Sequence, residues 1–218
     1  MELKDEGPVV GKILLLSNGF EHGAAKNAFE GAFEALAKGK PNPRIAVIPS
    51  GIPLKQQGEH IHRLMQNLSR LTTDLSILDL HKESIESLKS ADVCVITGGN
   101  PYTLLTLIRK RGHAILSKIL DRDGLLVASS GGAMILGSDV AITGIINPSI
   151  KRPGNFDLKG LGLFEENVFP HFNRYTDGQY EDRRDLIEDW LIEHKHFAIA
   201  DDQYVLLDWK AHPKPFGA

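Results

Sequence analysis

The chain's 218 residues suit a single α/β-sized domain, with 42% hydrophobic residues to fill a core and 24% charged residues to solvate its surface. A net charge of −3 makes no electrostatic case for nucleic acid or an anionic membrane as partner. The one cysteine, Cys94, excludes an internal disulfide framework, and the start Met1-Glu-Leu-Lys-Asp-Glu is charged where a secretory signal is apolar, so a soluble cytoplasmic protein is the expectation.

Strand-like and helix-like patterns alternate along the chain. An apolar run predicts a strand over 12–16, ending in Ser17-Asn18-Gly19. A helical repeat over 24–36 carries Phe29, Phe33 and Leu36 on one side and is stopped by Gly39 and Pro41. A strand over 44–48 closes at Pro49, and Ile61, Leu64, Met65, Leu68 and Leu71 mark an amphipathic helix. Strands follow over 75–80 and 92–97, the second holding Cys94 as a buried small side chain. Pro101 opens a helix continued by Leu104, Leu105 and Ile108, and another helix lies over 114–120. After a strand over 125–128, the stretch 138–155 is rich in Gly, Pro, Asn and Ser and reads as loops or short edge strands. A helix over 180–194 and a closing pair of strands over 196–200 and 204–207 complete the chain. Repeated strand–helix alternation predicts a mostly parallel sheet covered on both faces. Neither a repeat nor a linker divides it, so one domain over 1–218 is expected.

Ligands of open parallel sheets collect at the carboxyl ends of the strands. Two such ends stand out. In Leu125-Leu-Val-Ala-Ser-Ser-Gly-Gly-Ala-Met-Ile-Leu136 an apolar strand turns through small residues straight into an apolar helix. This is the layout of a nucleophile elbow, with Ser130 at its tip and Ala128 standing where the usual pattern has Gly. At Thr97-Gly98-Gly99-Asn100 a strand runs into paired glycines and a helix start, so backbone N–H groups can face a ligand. With the N–H of Gly131, that of Gly99 would form an oxyanion hole. A phosphate loop ranks lower, because neither G-x-G-x-x-G nor a Walker motif is present.

A serine nucleophile needs a base. Of the nine histidines, His60 and His62 fall two apart on a helix, and His22, His113, His194 and His196 lack a strand-end or glycine-rich context. His171 follows the apolar run Val168-Phe169-Pro170 and comes after the serine in chain order. No histidine pair with a carboxylate shows zinc-ligand spacing.

The stretch 92–100 ending in Gly-Gly-Asn, the elbow Ser130-Gly131-Gly132-Ala133 and Pro170-His171-Phe172 together resemble the aspartyl dipeptidase and cyanophycinase family of serine peptidases. The resemblance covers nearly the whole chain. It implies a flavodoxin-like, class I glutamine-amidotransferase-like α/β fold, with Ser130 as nucleophile, His171 as general base, and Gly99 and Gly131 as oxyanion donors. It implies turnover without metal or organic cofactor, and a small peptide as the partner. The family's motif is commonly G-x-S-A-G-A, whereas this chain reads Ala-Ser-Ser-Gly-Gly-Ala. The third triad member departs further. Dipeptidase-type relatives carry an aspartate before a proline between serine and histidine, but Gly144-Ile-Ile-Asn-Pro148 has no carboxylate, and Asp139 is the nearest acid. Cyanophycinase-type relatives place the acid late, and Ile199-Ala-Asp-Asp-Gln-Tyr204 puts Asp201 on the family's glutamate, with Asp202 beside it. Asp201 is the first choice; a polar turn without catalytic duty is the competing reading. Asn100, Arg174 and Arg183 are the candidates to hold substrate, the arginines because a guanidinium fork suits a carboxylate.

The reading is therefore a serine hydrolase of short peptides, with N-terminal aspartyl dipeptides as the expected substrates. Two rivals stand beside it. One is an amidase or amidotransferase-like enzyme on the same fold, which would use a cysteine at the elbow. The other is a catalytically impaired binding protein. Nothing in the residues sets an oligomeric state.

Overall fold

A computed structural model describes residues 11–20, 23–49 and 58–211, and among these residues eight strands are interspersed with eight α-helices. The strands are β1 (Lys12–Leu16), β2 (Ile45–Ile48), β3 (Leu75–Ile77), β4 (Val93–Ile96), β5 (Leu125–Ser129), β6 (Asn167–Pro170), β7 (His196–Ile199) and β8 (Tyr204–Asp208). The helices are α1 (Gly23–Gly39), α2 (Glu59–Leu68), α3 (Pro101–Arg111), α4 (Ala114–Asp121), α5 (Gly131–Met134), α6 (Ile142–Ile146), α7 (Phe172–Thr176) and α8 (Arg184–Glu193).

Six strands form one sheet in the order β3-β2-β4-β5-β1-β8, parallel except for β8, which runs antiparallel to β1. Strands β2 to β5 follow the 2-1-3-4 order of a flavodoxin-like sheet, and β1 takes the place of the fifth strand. Strands β6 and β7 pair in parallel as a separate two-stranded sheet.

The apolar strand runs follow from burial on both faces. Side chains alternate across a strand, so Leu14, Leu16, Val93, Val95, Leu125 and Val127 join one cluster with Phe29 and Phe33 of α1 and Leu64 and Leu68 of α2. Ile13, Leu15, Cys94, Ile96, Leu126 and Ala128 point the other way, into a second cluster with Leu104 and Leu105 of α3 and Leu116 and Leu120 of α4. That second cluster also contains Val168 and Phe169 of β6, Trp190 of α8 and Ile199 of β7. It therefore packs the small sheet against the large one.

Three sequence expectations need correction. The stretch 138–155 holds helix α6, with Ile142 and Thr143 buried. Gly144, Asn147 and Pro148 dilute its apolar content, so the helical spacing of Ile142, Ile145 and Ile146 is hidden. The helix expected over 180–194 begins as a 3-10 turn, Glu181–Arg183, and becomes α-helical at Arg184. The closing strands do not pair with each other: β7 joins β6, while β8 joins β1. Local pattern marks a strand but not its partner, and this difference decides the geometry of the site. The charged start of the chain and His22 lie outside the described residues.

Candidate active site

Three adjacent parallel strands, β4, β5 and β1, deliver their carboxyl ends side by side. Gly98 and Gly99 follow β4, Ser130 follows β5, and Ser17 follows β1. The Ser130 N–H donates to the Leu16 carbonyl at 2.9 Å, which ties the turn at Ser130 to the end of β1. Ser130 itself sits at φ 49°, ψ −121°, a sparsely populated region for a residue with a Cβ. The turn is tight enough that a Cβ on Gly131 would meet the Gly99 carbonyl oxygen at 2.3 Å, and one on Gly132 would meet the Ile96 and Thr97 carbonyl oxygens at 2.7 Å. Glycine there lets α5 start directly against the end of β4. Gly131 is the first residue of α5, so its N–H has no intrahelical acceptor and is free for a ligand. Gly99, with φ 121°, adopts a backbone that side-chain-bearing residues avoid.

The second sheet supplies the other half. His171 follows β6, and Asp201 follows β7 by two residues; Pro170 and Ile199 are paired neighbours in that sheet. Asp201 also lies in the turn that leads into β8, whose first residue, Tyr204, pairs with Leu16. The β7–β8 connection thus brings the carboxylate back to the end of β1.

A continuous chain of hydrogen bonds results. Ser130 Oγ lies 3.0 Å from His171 Nε2, and His171 Nδ1 lies 2.5 Å from Asp201 Oδ1. Burial alone would raise the Asp201 carboxyl, but bonds from Ser17 and His171 outweigh it and hold the group below the usual carboxylate range. Asp201 is therefore ionised and can only accept, so Nδ1 carries the imidazole proton. Nε2 then presents its lone pair, and the Ser130 hydroxyl donates to it. Burial pushes the His171 pKa below the ordinary histidine value, and the Arg174 charge pushes the same way; Asp201 opposes both without cancelling them. The imidazole is neutral near pH 7, the state a proton acceptor needs.

Ser130, Gly99, Gly131 and His171 open onto a cavity of about 130 Å³. Its remaining wall includes Met134, Thr143, Ile146, Asn147, Arg174 and Tyr180. The volume is below the range of about 300–1,000 Å³ typical of drug-sized ligand sites, so the cavity suits a small molecule or a few substrate atoms. Among the described residues Arg174 is the only side chain of this wall with a fixed positive charge, and no carboxylate side chain lines it.

A model of Peptidase family S51 matches residues 13–210. The chain belongs to peptidase family S51. As a member of that family it is a serine peptidase. The chain is 28% identical over 187 residues to the peptidase E of Salmonella arizonae, a match covering 83% of this chain and 78% of the relative. It is 27% identical over 194 residues to the peptidase E of Salmonella newport, covering 86% and 81%. The crystal structure of a peptidase from an acI-B1 Actinobacterium superposes with a TM-score of 0.67 at 20% identity, over 91% of this chain and 83% of that one, and shares its fold.

The residues singled out from the S51 peptidase's sequence distribute unevenly. Ser130, His171, Asp201, Gly99, Gly131 and Arg174 come together. Two substrate-holding candidates do not. Asn100 is the N-cap of α3: its Oδ1 accepts from Tyr102 N–H at 3.0 Å and Thr103 N–H at 3.3 Å. Its Oδ1 is thereby committed to the helix terminus, and Asn100 is not among the residues lining the cavity. Arg183 is paired with Asp182 through Nε and Nη2, at 3.0 and 2.9 Å, and its Nη1 donates to the Ile145 carbonyl. It braces α6 through that carbonyl and pairs its charge with the adjacent Asp182. Of the other acids considered, Asp139 Oδ1 caps the Ala141 N–H, and its backbone bridges Lys159. Cys94 is fully buried in β4, its thiol pushed up to about 12, so no thiolate is available there.

Sequence reasoning passed over Ser17 and Asn173. Ser17 Oγ donates to Asp201 Oδ1 at 2.7 Å and accepts from the His171 N–H at 2.6 Å. Asn173 Nδ2 donates to Asp201 Oδ2 at 3.3 Å, and its Oδ1 accepts from the Asp201 N–H at 3.1 Å. The available signal for Ser17 was its place just past the carboxyl end of an apolar strand, the same signal that singled out Gly99 and Ser130.

Proposed function

We propose that this S51 peptidase hydrolyses short peptides, with N-terminal aspartyl dipeptides as its substrates, through an acyl-enzyme on Ser130. The reading is carried by the Ser130–His171–Asp201 hydrogen-bond chain opening onto a small cavity with one permanent cation, Arg174. The Ser130 hydroxyl attacks the scissile carbonyl while His171 Nε2 takes its proton. The N–H groups of Gly99 and Gly131 hold the oxyanion of the tetrahedral intermediate. His171 then passes the proton to the leaving amine, and the amine departs with the C–N bond. A water molecule, deprotonated by the same imidazole, attacks the ester and releases the acid and Ser130. Asp201 keeps the imidazole in its Nδ1–H tautomer and offsets the imidazolium charge that forms in each half-reaction. Arg174, without a carboxylate partner among the described residues, takes the acidic side chain or a substrate carboxylate through a paired guanidinium contact. Small volume favours short substrates over folded protein. The single reduced, buried cysteine suits a cytoplasmic setting.

The test is a dipeptide panel, Asp-X against Asn-X, Glu-X, Ala-X and β-Asp-X, with wild type and Ser130→Ala. Ser130-dependent release of the second residue, fastest for Asp-X, is the expected result. Hydrolysis that persists in Ser130→Ala overturns the mechanism, and equal rates for Asp-X and Asn-X overturn the aspartyl assignment.

A further inference from the structure

We propose that Ser17 is a positioning residue for the triad, making the functional unit a tetrad of Ser130, His171, Asp201 and Ser17. The proposal rests on the peptidase reading of Ser130 and His171 and extends it to a residue of β1's end. Ser17 is wholly buried, and it does not line the substrate cavity. Whatever it does for turnover it does through its neighbours.

Three polar atoms surround its Oγ. The His171 backbone N lies at 2.6 Å, Asp201 Oδ1 at 2.7 Å and His171 Nδ1 at 3.1 Å. A hydroxyl has one proton and two lone pairs. The backbone N–H can only donate, so it takes one lone pair. The Asp201 carboxylate can only accept, so it takes the proton. The remaining lone pair faces Nδ1, which must then be protonated, sharing its hydrogen between Asp201 and Ser17. Any other tautomer sets a lone pair against a lone pair. One buried hydroxyl thus determines where the imidazole proton sits, which carboxylate oxygen meets it, and where the histidine backbone lies.

The backbone contact has its own reason. His171 is left-handed, at φ 57° and ψ 36°, and is the N-cap of α7 with no side-chain cap bond of its own. A strained N–H at that position needs a fixed acceptor to hold the ring at the height of Ser130. Ser17 is suited to this because Leu16, its neighbour, already holds the Ser130 N–H. Base and nucleophile are therefore referenced to consecutive residues of one strand end.

A buried serine that only satisfied local backbone would affect stability but not the chemistry. The two roles separate in a double-mutant cycle. Kinetics are measured for wild type, Ser17→Ala, Asp201→Ala and the double variant on one cleaved dipeptide. Loss of a hydrogen bond to a charged group predicts that Ser17→Ala lowers kcat about tenfold to a hundredfold with KM unchanged. Because Ser17 acts partly through Asp201 and partly through His171 itself, adding Ser17→Ala to Asp201→Ala should lower kcat by a clearly smaller factor than adding it to wild type. An equal fold-loss in both backgrounds overturns the proposal. A second readout needs no substrate: the His171 Nδ1 proton, followed by NMR in wild type and Ser17→Ala and assigned by its loss in His171→Ala. The resonance should move when the shared acceptor is removed. An unmoved resonance overturns the tetrad, whereas a moved resonance in a protein without Ser130-dependent hydrolysis overturns the peptidase reading alone. If alanine at position 17 prevents folding, Ser17→Cys, similar in size with a weaker donor, replaces it in the same cycle and the same spectrum.

Discussion

Ser130 and His171 are two of the four residues other than glycine with positive φ among the described residues, and both stand in the same hydrogen-bond chain. Each such conformation costs about 1–3 kcal/mol, which the surrounding backbone bonds must offset. The Asp201 carboxylate orients the imidazole that takes the Ser130 proton. Asp201→Asn is expected to lower kcat by about 10⁴-fold, as loss of the aspartate does in the comparable protease triad, while Asp139→Asn stays near wild type. A loss at Asp139 alone would overturn the assignment. Arg174 makes a second residue-scale prediction. Protonated His171 cannot accept the Ser130 proton, so kcat/KM falls with falling pH, with a midpoint below the ordinary histidine value of about 6.5. The Arg174 charge contributes to that depression, so Arg174→Gln should move the midpoint upward in pH and raise KM for acidic dipeptides. Rate profiles against pH for the two proteins check both parts; a midpoint that moves downward contradicts them.

At the scale of elements, the site depends on how two helices begin. α3 starts with Asn100 as cap and Pro101 in the first turn, and α5 starts on Gly131 and Gly132 pressed against the end of β4. Asn100→Ala removes the cap bonds to Tyr102 and Thr103 and should cost about 0.5–2 kcal/mol of stability with KM unchanged. Thermal melts and Michaelis kinetics separate the possibilities: a raised KM at unaltered Tm would return Asn100 to substrate binding. Gly131→Ala places a methyl 2.3 Å from the Gly99 carbonyl oxygen, so the elbow and the end of β4 must part. Overpacking of this kind costs about 1–3 kcal/mol, and here it also displaces the two N–H groups assigned to the oxyanion. The expected result is a lowered Tm together with a kcat loss larger than the stability change explains. Full activity in Gly131→Ala would show that the elbow and the end of β4 accommodate the added methyl without displacing those N–H groups.

At the scale of the whole molecule, the site lies where the carboxyl ends of two sheets meet, so its geometry depends on the larger sheet holding its register. At the opposite end of that sheet, Asp92 ties elements together: it accepts from Lys40 Nζ at 2.8 Å and from the Arg44 N–H at 2.9 Å. Partial burial would raise its carboxyl, but the bonds from Lys40 and Arg44 and the Lys40 and Arg122 charges win, leaving it below the ordinary value. A depressed carboxylate stabilises the fold above the unfolded-state pKa of about 3.9, and that contribution is lost as pH falls through the folded value. Asp92→Asn should therefore lower Tm near neutrality, with the gap to wild type closing below about pH 4. A gap that persists at acid pH would show the effect to be steric.

The amino-acid sequence carries the strand and helix periods, the buried strands β1, β4 and β5, the elbow at Ser130 and the glycine pair at Gly98 and Gly99 in its local pattern. Those features are local: each rests on apolar spacing or on the small residues that a tight turn requires. It also made His171 and Asp201 candidates, through the motifs that resemble the peptidase family. That Asp201 rather than Asp139 meets the imidazole follows from pairing β7 with β6 and β8 with β1, contacts between residues far apart in the chain that no local pattern encodes. Asn100 and Arg183 are engaged by local partners instead, the N–H groups of the first turn of α3 and the adjacent Asp182 carboxylate. The strand pairing also brought Ser17 in. A hydroxyl at position 17 acquires its three partners only when a strand end near the start of the chain meets residues more than 150 positions later.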